Sequence, residues 1–342
     1  MNYAAGQSDI ILAATDPDLP EKMPQGLEKY RNFQEMARGG NAILQSALDT
    51  IVGRTIAIKT LTPELARDRR ERRRFLREAR VTAQLQHPNT VPVHEIGEDP
   101  KQGVYFTMKR ISGENFFEVL KRIARGDERT MTDFPLARRL EILAGACQAL
   151  AYAHARGVIH RDVKPENIWV GNFGEVILLD WGVAKVWGHA DINEPIDRSI
   201  LHPTKFDSKY PDEDENAPAQ LQTLTDGGQR PGTPLYMSPE QVEGRRSIDE
   251  RTDIFSVGVV LYEICAFCEP FKGRTIDETF SNILNKELPP PSERAPQRKI
   301  PPAIDTIVMK SIQKDPGKRY QSMRELIAAM REVAAGLAVE SI

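Results

Sequence analysis

Four polar side chains in two short segments have the types and spacing that phosphoryl transfer requires. Asp162 is a carboxylate that could orient a hydroxyl group and take its proton as the new bond forms, and Lys164 could neutralise charge on the phosphoryl group. Asn167 and Asp180 supply one amide oxygen and one carboxylate. Magnesium prefers oxygen ligands, so these two groups, with nucleotide phosphates and waters, suffice to hold it. The two segments therefore indicate a phosphotransferase core.

These segments read HRDVKPEN from residue 160 and DWG from residue 180, and they resemble the catalytic loop and metal-binding turn of eukaryotic-like (Hanks-type) bacterial serine/threonine protein kinases. Other kinase motifs flank them in the expected order. A loop whose charges only cap a helix would not explain those motifs. The resemblance implies that Asp162 is the catalytic base, that Lys164 stabilises the transferred charge, and that Asn167 and Asp180 bind the metal.

The resemblance also implies an α+β architecture, the bilobal protein-kinase fold, over residues 30–335. A small, mainly β N-lobe is expected over residues 30–108 and a larger, mainly α C-lobe over residues 109–335. The expected cofactors are ATP and Mg²⁺, with Mn²⁺ as an alternative metal. Residues 1–29 mix Asp, Pro, Gly and Gln without periodicity, which predicts a disordered extension. Residues 336–342 are expected to form a tail or the start of a linker.

A lysine and a glutamate upstream complete the implied catalytic set. The run Thr55–Lys59 reads as a strand, and Lys59 matches the family lysine that contacts the α- and β-phosphates. A buried lysine needs a partner to stay charged. Glu78 follows 19 residues later (78 − 59 = 19) on a predicted helix, where that partner is expected. The alternative is that both charges lie at the surface.

A degenerate phosphate-binding loop is implied at residues 37–44, which read ARGGNAIL. The family pattern is GxGxxGxV, and Ala37 and Ala42 replace two of its three glycines. Glycines let backbone N–H groups approach phosphates with no side chain in the way. Because alanine is the smallest replacement, we expect a weaker or altered grip on the nucleotide rather than its outright loss.

The adenine end of the nucleotide site is implied by the stretch after the predicted strand Val104–Met108. Met108 corresponds to the gatekeeper, and the backbones of Lys109 and Ile111 would pair with the adenine edge. Trp169 stands where the family has the floor under adenine, and an indole could stack on a purine or fill the pocket. The residues expected to line the nucleotide site are Met36, Ala37, Gly39, Gly40, Ala42, Leu44, Ala57, Lys59, Met108, Lys109, Ile111 and Trp169.

Residues 180–240 correspond to an activation segment with a polar, acidic insertion, HPTKFDSKYPDEDENAPAQ, whose composition predicts mobility. Its candidate phosphorylation sites are Ser199, Thr204, Ser208, Thr223 and Thr225. Phosphate there could recruit Arg161 and the arginine-rich run Arg67–Arg74, because guanidinium groups bind phosphate through paired hydrogen bonds. A solvated helix face is the alternative for that run.

The segment closes with GTPLYMSPE at residues 232–240, similar to the family anchor GTxxYxAPE. Thr233 and Lys164 are the marks of serine/threonine rather than tyrosine kinases. Within the resemblance, Glu240 should pair with Arg319, and Asp253 should brace the catalytic loop from a buried helix.

The composition of the chain limits the classes of partner, metal site and location that can be expected for it. The chain has 342 residues, 40% of them hydrophobic and 28% charged, and its net charge of −3 gives no general attraction to nucleic acid or to anionic membranes. Three cysteines are too few for a disulfide framework, and the CxxC of Cys265 and Cys268 lacks two further zinc ligands. No apolar run has the 18 or so residues of a membrane span. We expect a cytoplasmic chain or the cytosolic domain of a longer one.

The resemblance implies transfer of the γ-phosphoryl group of ATP to serine or threonine of protein substrates. It also implies autophosphorylation of the activation segment, for which self-association is one route. The alternative from another class is a pseudokinase scaffold that binds protein partners with little or no turnover, and Ala37, Ala42 and Trp169 favour it. A small-molecule kinase is a third alternative, which the anchor at residues 232–240 disfavours.

Overall fold

The computed structural model describes residues 23–186, 234–245 and 247–340, and these residues form two compact units. Within the described part of the chain, the first unit contains residues 23–84 and 91–111. The second contains residues 85–90 and 112–186 and the two later ranges.

The first unit is a five-stranded antiparallel sheet with one long helix. The sheet order is β1-β2-β3-β5-β4. Its elements are β1 (Tyr30–Arg38), β2 (Ala42–Asp49), β3 (Arg54–Leu61), α1 (Arg69–Gln84), β4 (Val93–Asp99) and β5 (Gly103–Lys109). The predicted strands at residues 55–59 and 104–108 lie inside β3 and β5.

Both faces of this sheet carry buried apolar side chains because neighbouring strand residues point to opposite faces. Tyr105 belongs to one cluster of buried residues, together with Leu27 and Ile58. Phe106, the next residue along β5, belongs to the other cluster, together with Phe75 from α1. The Phe75 and Phe106 ring centroids lie 5.1 Å apart. Helix α1 is thereby fixed against one face of the sheet.

The N-terminal boundary differs from the sequence-based expectation. Residues 1–22 of the predicted extension lie outside the described residues. Gly26–Lys29, which the prediction assigned to the disordered extension, forms a 3₁₀ helix with Leu27 buried against the sheet. Lys29 and Tyr30 both bind Glu95 of β4, at 2.6 and 2.9 Å. The composition of residues 1–29 hid one apolar anchor, Leu27, so regular structure begins a few residues before the expected start at residue 30.

The second unit is mainly helical. Its helices are α2 (Phe116–Ala124), α3 (Glu128–Asp133), α4 (Leu136–Ala155), α5 (Pro239–Val242), α6 (Arg251–Ala266), α7 (Ile276–Asn285), α8 (Pro291–Arg294), α9 (Pro302–Ser311) and α10 (Met323–Glu340). In the described part of this unit, five short strands accompany the helices. β6 (Glu114–Asn115), β8 (Ile168–Val170) and β9 (Val176–Leu178) form one sheet, and β7 (Val158–Ile159) pairs with β10 (Lys185–Val186).

Two helices, α4 and α6, form the core beneath the catalytic loop. The apolar face of α4 is buried, since Leu140, Leu143, Cys147 and Leu150 are all at most 1% exposed. Helix α4 ends at Ala155, and Gly157 adopts φ +73°, as is common for a glycine just past the end of a helix. Every residue of α6 from Thr252 to Ala266 is buried. A helix buried on all sides provides a rigid support for the segment above it.

The last helix is longer than the sequence predicted. It was expected to end near Ala335, with a tail or linker from residue 336, but α10 continues to Glu340. The run VAAGLAVE contains strong helix formers around one glycine, and that glycine does not end the helix. None of the helices in the described ranges is long and apolar enough to cross a membrane.

Candidate active site

Three catalytic candidates of the second unit form one hydrogen-bonded cluster. Lys164 Nζ lies 2.7 Å from Asp162 Oδ2. Asn167 Nδ2 donates to the same oxygen at 3.1 Å and to the Asp162 carbonyl at 2.8 Å. Both donors use Oδ2, and no described residue donates to the second carboxylate oxygen, Oδ1. That oxygen can therefore accept a hydrogen bond from a substrate hydroxyl.

The electrostatics of this pair suit proton transfer. Burial raises the pKa of Asp162, and the positive charge of Lys164 only partly offsets that effect. A carboxylate with a raised pKa is a better proton acceptor than a free aspartate. Burial acts to lower the pKa of Lys164, but the charge of Asp162 outweighs it, so the pKa of Lys164 lies above its ordinary value. Lys164 therefore remains a cation beside the reacting groups.

The backbone of the catalytic loop is held from below by Asp253 of α6. Its carboxylate accepts hydrogen bonds from the backbone N–H groups of His160 and Arg161, at 2.9 and 2.8 Å, and lies 2.7 Å from Nε2 of His154. Arg161 has φ +69°, a strained conformation for a residue with a side chain. Three hydrogen bonds to one buried carboxylate can stabilise that conformation. The predicted bracing role of Asp253 is thus confirmed.

Asp180 begins a turn that is locked by the next residue, Trp181. Trp181 is 1% exposed, and its ring centroid lies 4.5 Å from that of His160, edge to face. His160 Nε2 is 3.0 Å from the Leu179 carbonyl oxygen. Asp180 itself has φ +63°. His160 thus packs against the turn that begins at Asp180, and Trp181 is a large buried side chain within it.

The donor set in this unit fits a hard divalent cation. Asn167 uses its Nδ2 to bind Asp162, which leaves its Oδ1, an acceptor only, for another ligand. Asp180 contributes a carboxylate. An amide oxygen and a carboxylate are the oxygen ligands that Mg²⁺ takes beside nucleotide phosphates and waters.

In the first unit, Lys59 and Glu78 form the predicted ion pair. Lys59 Nζ of β3 lies 2.5 Å from Glu78 Oε1 of α1. Both side chains are largely buried, at 23% and 15% exposed, and the Lys59 ammonium also lies 5.9 Å from the Phe106 ring centroid. The alternative of two independent surface charges is excluded by this geometry.

The strands around Lys59 carry most of the other predicted nucleotide-site residues. Lys59 pairs with Leu44 of β2 and Ala57 pairs with Met108 of β5. Lys109 ends β5 and donates its N–H to the Pro92 carbonyl at 2.9 Å. The remaining residues expected in this unit are Met36, Ala37, Gly39, Gly40, Ala42 and Ile111, which lie in β1, in the β1–β2 turn, at the start of β2 and after β5.

The two alanines of the degenerate phosphate loop lie within strands. Ala37 belongs to β1 and Ala42 begins β2, whereas the turn itself is formed by Gly39, Gly40 and Asn41. The Gly39 N–H donates to the Ala42 carbonyl at 2.9 Å, which closes the hairpin. A Cβ added at Gly40 would meet nothing within 4 Å. The turn therefore contains Gly39, the one glycine of the family pattern that this chain retains, whereas Ala37 and Ala42 lie in strands.

Trp169 belongs to the second unit, on β8 between the buried residues Ile168 and Val170. Its indole Nε1 donates to the Ser112 carbonyl at 3.0 Å. The sequence indicated an aromatic ring at this position, but it could not show that the indole N–H is engaged by the chain itself.

A further support of the catalytic loop was missed from the sequence. Gln241 Nε2 donates to the Arg161 carbonyl at 2.9 Å, so it holds the same strained residue that Asp253 holds. Gln241 also forms a capping box with Ser238 at the start of α5. The spacing of Ser238 and Gln241 is the signature of a capping box, and this signal could have located Gln241.

The predicted Glu240–Arg319 pair is confirmed and fully enclosed. Arg319 Nη1 and Nη2 donate to the two carboxylate oxygens of Glu240 at 2.7 and 2.9 Å. Thr252 Oγ1 adds a third hydrogen bond at 2.8 Å. Burial acts to raise the pKa of Glu240, but the hydrogen bonds and charge of Arg319 outweigh it and hold that pKa below its ordinary value.

The expectations for the activation segment concern residues that are mostly undescribed. Ser199, Thr204, Ser208, Thr223, Thr225 and Thr233 all lie outside the described residues. Arg161, the expected phosphate ligand, donates its Nε to the Val183 carbonyl at 2.6 Å. In the arginine-rich run, Arg72 makes two hydrogen bonds to Glu98, at 3.0 and 2.7 Å, and Arg74 lies 3.1 Å from Glu71. Part of that run is therefore engaged within the first unit.

Comparison with known proteins agrees with this organisation. Residues 30–198 and 219–330 match the protein kinase domain family. The chain is 32% identical over 318 residues to the serine/threonine-protein kinase PknD of Protochlamydia amoebophila. This alignment covers 92% of this chain and 31% of that protein. It is 34% identical over 307 residues to PknD of Chlamydia pneumoniae, which covers 88% of this chain and 30% of that protein.

The chain thus spans about a third of the length of these curated relatives. The match covers both the antiparallel sheet of the first unit and the helices of the second, and it confirms the expected α+β fold class. The resemblance carried by HRDVKPEN and DWG is confirmed as well. By sequence and by fold, this chain belongs to the protein kinase family, with bacterial serine/threonine kinases among its relatives.

Proposed function

We propose that the chain is an active protein kinase that transfers the γ-phosphoryl group of ATP to serine or threonine hydroxyl groups of proteins. The observation that carries the proposal is the cluster of Asp162, Lys164 and Asn167, joined by hydrogen bonds of 2.7 to 3.1 Å. The names of the relatives, serine/threonine-protein kinases, support the same activity.

In the proposed reaction, the substrate hydroxyl donates a hydrogen bond to Oδ1 of Asp162. Its oxygen forms the new bond to the γ-phosphorus, the bond from that phosphorus to the β,γ-bridging oxygen breaks, and ADP leaves. Asp162 takes the hydroxyl proton. Lys164 stabilises negative charge on the transferred group, and positioning together with such electrostatic stabilisation supplies most of the rate enhancement in this class of reaction.

We propose that Lys59 binds the α- and β-phosphates, with its ammonium held in place by Glu78. Asn167 Oδ1 and the Asp180 carboxylate would hold the metal. When bound, Mg²⁺ would neutralise charge on the phosphates. Mn²⁺ accepts the same oxygen ligands and is the alternative metal. The remaining residues predicted for the nucleotide site, from Met36 to Trp169, are assigned to its walls.

Serine/threonine preference and protein substrates are supported by the sequence of the anchor. Lys164 and Thr233 are the two residues that favour hydroxyls of serine and threonine over tyrosine in the family pattern, and Thr233 lies outside the described residues. We also propose a cytoplasmic location, autophosphorylation of the activation segment by self-association, and no nucleic-acid partner. The last point rests on the net charge of −3.

A pseudokinase scaffold is the second candidate function, and Trp169 is the feature that favours it. An indole at this position could fill a nucleotide pocket. The two alanines favour it less strongly than the sequence suggested, because Ala37 and Ala42 lie in strands and the turn between them retains Gly39.

The proposed function is tested by incubating the purified chain with ATP and Mg²⁺ and a mixture of peptides that contain serine, threonine or tyrosine. Mass spectrometry then identifies which hydroxyls carry phosphate, with parallel reactions in Mn²⁺ and in a chelator. Phosphoserine or phosphothreonine that depends on the metal supports the enzyme. No phosphate on peptides or on the chain, together with no binding of ADP by calorimetry, would favour the scaffold.

A further inference from the structure

Trp169 has a hydrogen bond that an ordinary apolar floor residue could not make. Its indole Nε1 lies 3.0 Å from the Ser112 carbonyl oxygen, and its ring is only partly buried. Indole carries a single polar atom, and that atom is a donor only. Because the N–H is already committed to Ser112, the exposed part of this side chain offers a ligand only an apolar aromatic surface.

The partner of this hydrogen bond, Ser112, occupies a special place in the chain. It is the residue at which the chain passes from the first unit back into the second, and it directly follows Lys109–Ile111, the stretch whose backbone we assign to the adenine edge. A hydrogen bond to the Ser112 carbonyl therefore fixes one end of the peptide that carries the adenine-pairing groups.

The residues after Ser112 lie close to β8, the strand that carries Trp169. Gly113 has φ +111°, and a Cβ there would lie 2.1 Å from the Val170 carbonyl oxygen. Glu114 and Asn115 then pair with Val170 and Trp169 as β6 against β8. The chain from residue 112 to residue 115 thus follows β8 closely, and the Trp169 indole fixes its first residue.

Two side-chain interactions hold the far end of this stretch. Glu114 makes two hydrogen bonds to Arg122 of α2, at 2.5 and 2.7 Å. Asn115 caps the start of α2 by accepting the Glu118 N–H at 3.0 Å. These two interactions do not involve the Trp169 side chain. The indole N–H is the interaction that extends this anchoring to the residue next to the adenine-pairing backbone.

We propose that Trp169 is a positioning residue for the nucleotide base: its indole N–H holds the Ser112 carbonyl and thereby sets the backbone at Lys109–Ile111 for adenine. This inference rests on the proposed kinase function. It assigns the tryptophan a role in nucleotide affinity and in discrimination between adenine and guanine, whose pairing edges present donors and acceptors in different places. It contrasts with the reading of Trp169 as a plug.

The sharpest test removes the N–H and keeps the ring. Trp169 is replaced by β-(3-benzothienyl)alanine, in which sulfur takes the place of the indole N–H, and Trp169→Phe serves as a second variant. Phe173→Ala is the matched control, because Phe173 lies in the turn after β8 and is 89% exposed. KM and kcat are measured with ATP and with GTP, ADP affinity is measured by calorimetry, and melting temperatures check the fold.

We expect the benzothienyl variant to raise KM for ATP and the dissociation constant of ADP by about threefold to tenfold, the usual range for loss of one net hydrogen bond. The value of kcat should change less than about twofold, as expected when binding is lost equally from the ground and transition states. The ratio of KM for GTP to KM for ATP should fall. The Phe173→Ala control should show none of these changes.

Two results would overturn the inference. One is an unchanged KM for ATP and an unchanged GTP-to-ATP ratio, whether or not the melting temperature falls. The other is tighter binding of ADP when the ring is reduced to phenylalanine, which would show that the indole obstructs the site. A wild-type chain that binds ADP without transferring phosphate would refute the proposed function instead, and the ADP affinities would still decide the role of Trp169.

Discussion

Lys59 Nζ of β3 and Glu78 Oε1 of α1 lie 2.5 Å apart, although 19 positions of the chain separate the two residues. The contact requires both the strand register that points Lys59 toward α1 and the packing of Phe75 against Phe106 that holds the helix in place. The same helix face thus supplies a core contact and a charge partner.

Glu78→Gln should therefore reduce kcat/KM for ATP by about tenfold to a hundredfold, because a lysine without its carboxylate is poorly positioned for phosphates. Steady-state kinetics at several ATP concentrations measure the effect. The matched control is Glu98→Gln, which removes a carboxylate from an exposed pair with Arg72. Equal losses in both variants would contradict a specific role for Glu78.

Trp181→Phe should leave the free energy of unfolding unchanged or raise it by up to about 2 kcal/mol. The indole Nε1 of Trp181 is buried and has no partner among the described residues. An unpaired buried donor lowers the free energy of unfolding by about 1–3 kcal/mol, so its removal is stabilising. The cavity left by the smaller ring lowers the free energy of unfolding by roughly 1 kcal/mol. Urea unfolding of both proteins provides the measurement. A loss above about 2 kcal/mol would show that the indole N–H is satisfied or that packing dominates.

Glu240→Gln should lower the free energy of unfolding at neutral pH by about 3–5 kcal/mol, because it leaves the enclosed Arg319 without its counter-ion. The pKa of Glu240 lies below its ordinary value of 4.5, so its contribution is present above about pH 4.5 and disappears as the pH falls through the lower, folded value. Wild-type stability should consequently fall more steeply than that of the variant between about pH 5 and pH 3. Parallel slopes in urea unfolding would contradict this assignment.

Gly113→Ala should be far more destabilising than Gly126→Ala, although both glycines have positive φ, at +111° and +80°. A Cβ at residue 113 would lie 2.1 Å from the Val170 carbonyl oxygen, whereas a Cβ at residue 126 meets nothing within 4 Å. The second variant reports the backbone strain alone, about 1–2 kcal/mol. Thermal unfolding compares the two, and similar melting temperatures would show that the approach to β8 can relax.

The chemistry of the site could be predicted from the sequence because it depends on local motifs. HRDVKPEN places Asp162, Lys164 and Asn167 within six residues, so their clustering follows from one loop. The Lys59–Glu78 and Glu240–Arg319 pairs were predictable only through the family resemblance, since residues far apart in the chain meet through the fold. The structure confirms both pairs.

Other features could be identified only from the structure. Leu27 is a single apolar residue in a polar stretch, and only the uncovered face of the sheet explains why it is buried. The positions of Ala37 and Ala42 inside strands depend on where the hairpin turns, which a motif does not define. The acceptor for the Trp169 indole is a backbone carbonyl, and a backbone acceptor has no sequence signature.

The most direct test of the central claim compares the wild-type chain with Asp162→Asn in single-turnover phosphoryl transfer, with ADP affinity measured on the same preparations. Asparagine has nearly the same shape but cannot accept the hydroxyl proton. We predict that the variant binds ADP and Mg²⁺ like the wild type and transfers phosphate at least about a hundredfold more slowly. Transfer at the wild-type rate by Asp162→Asn would contradict the account.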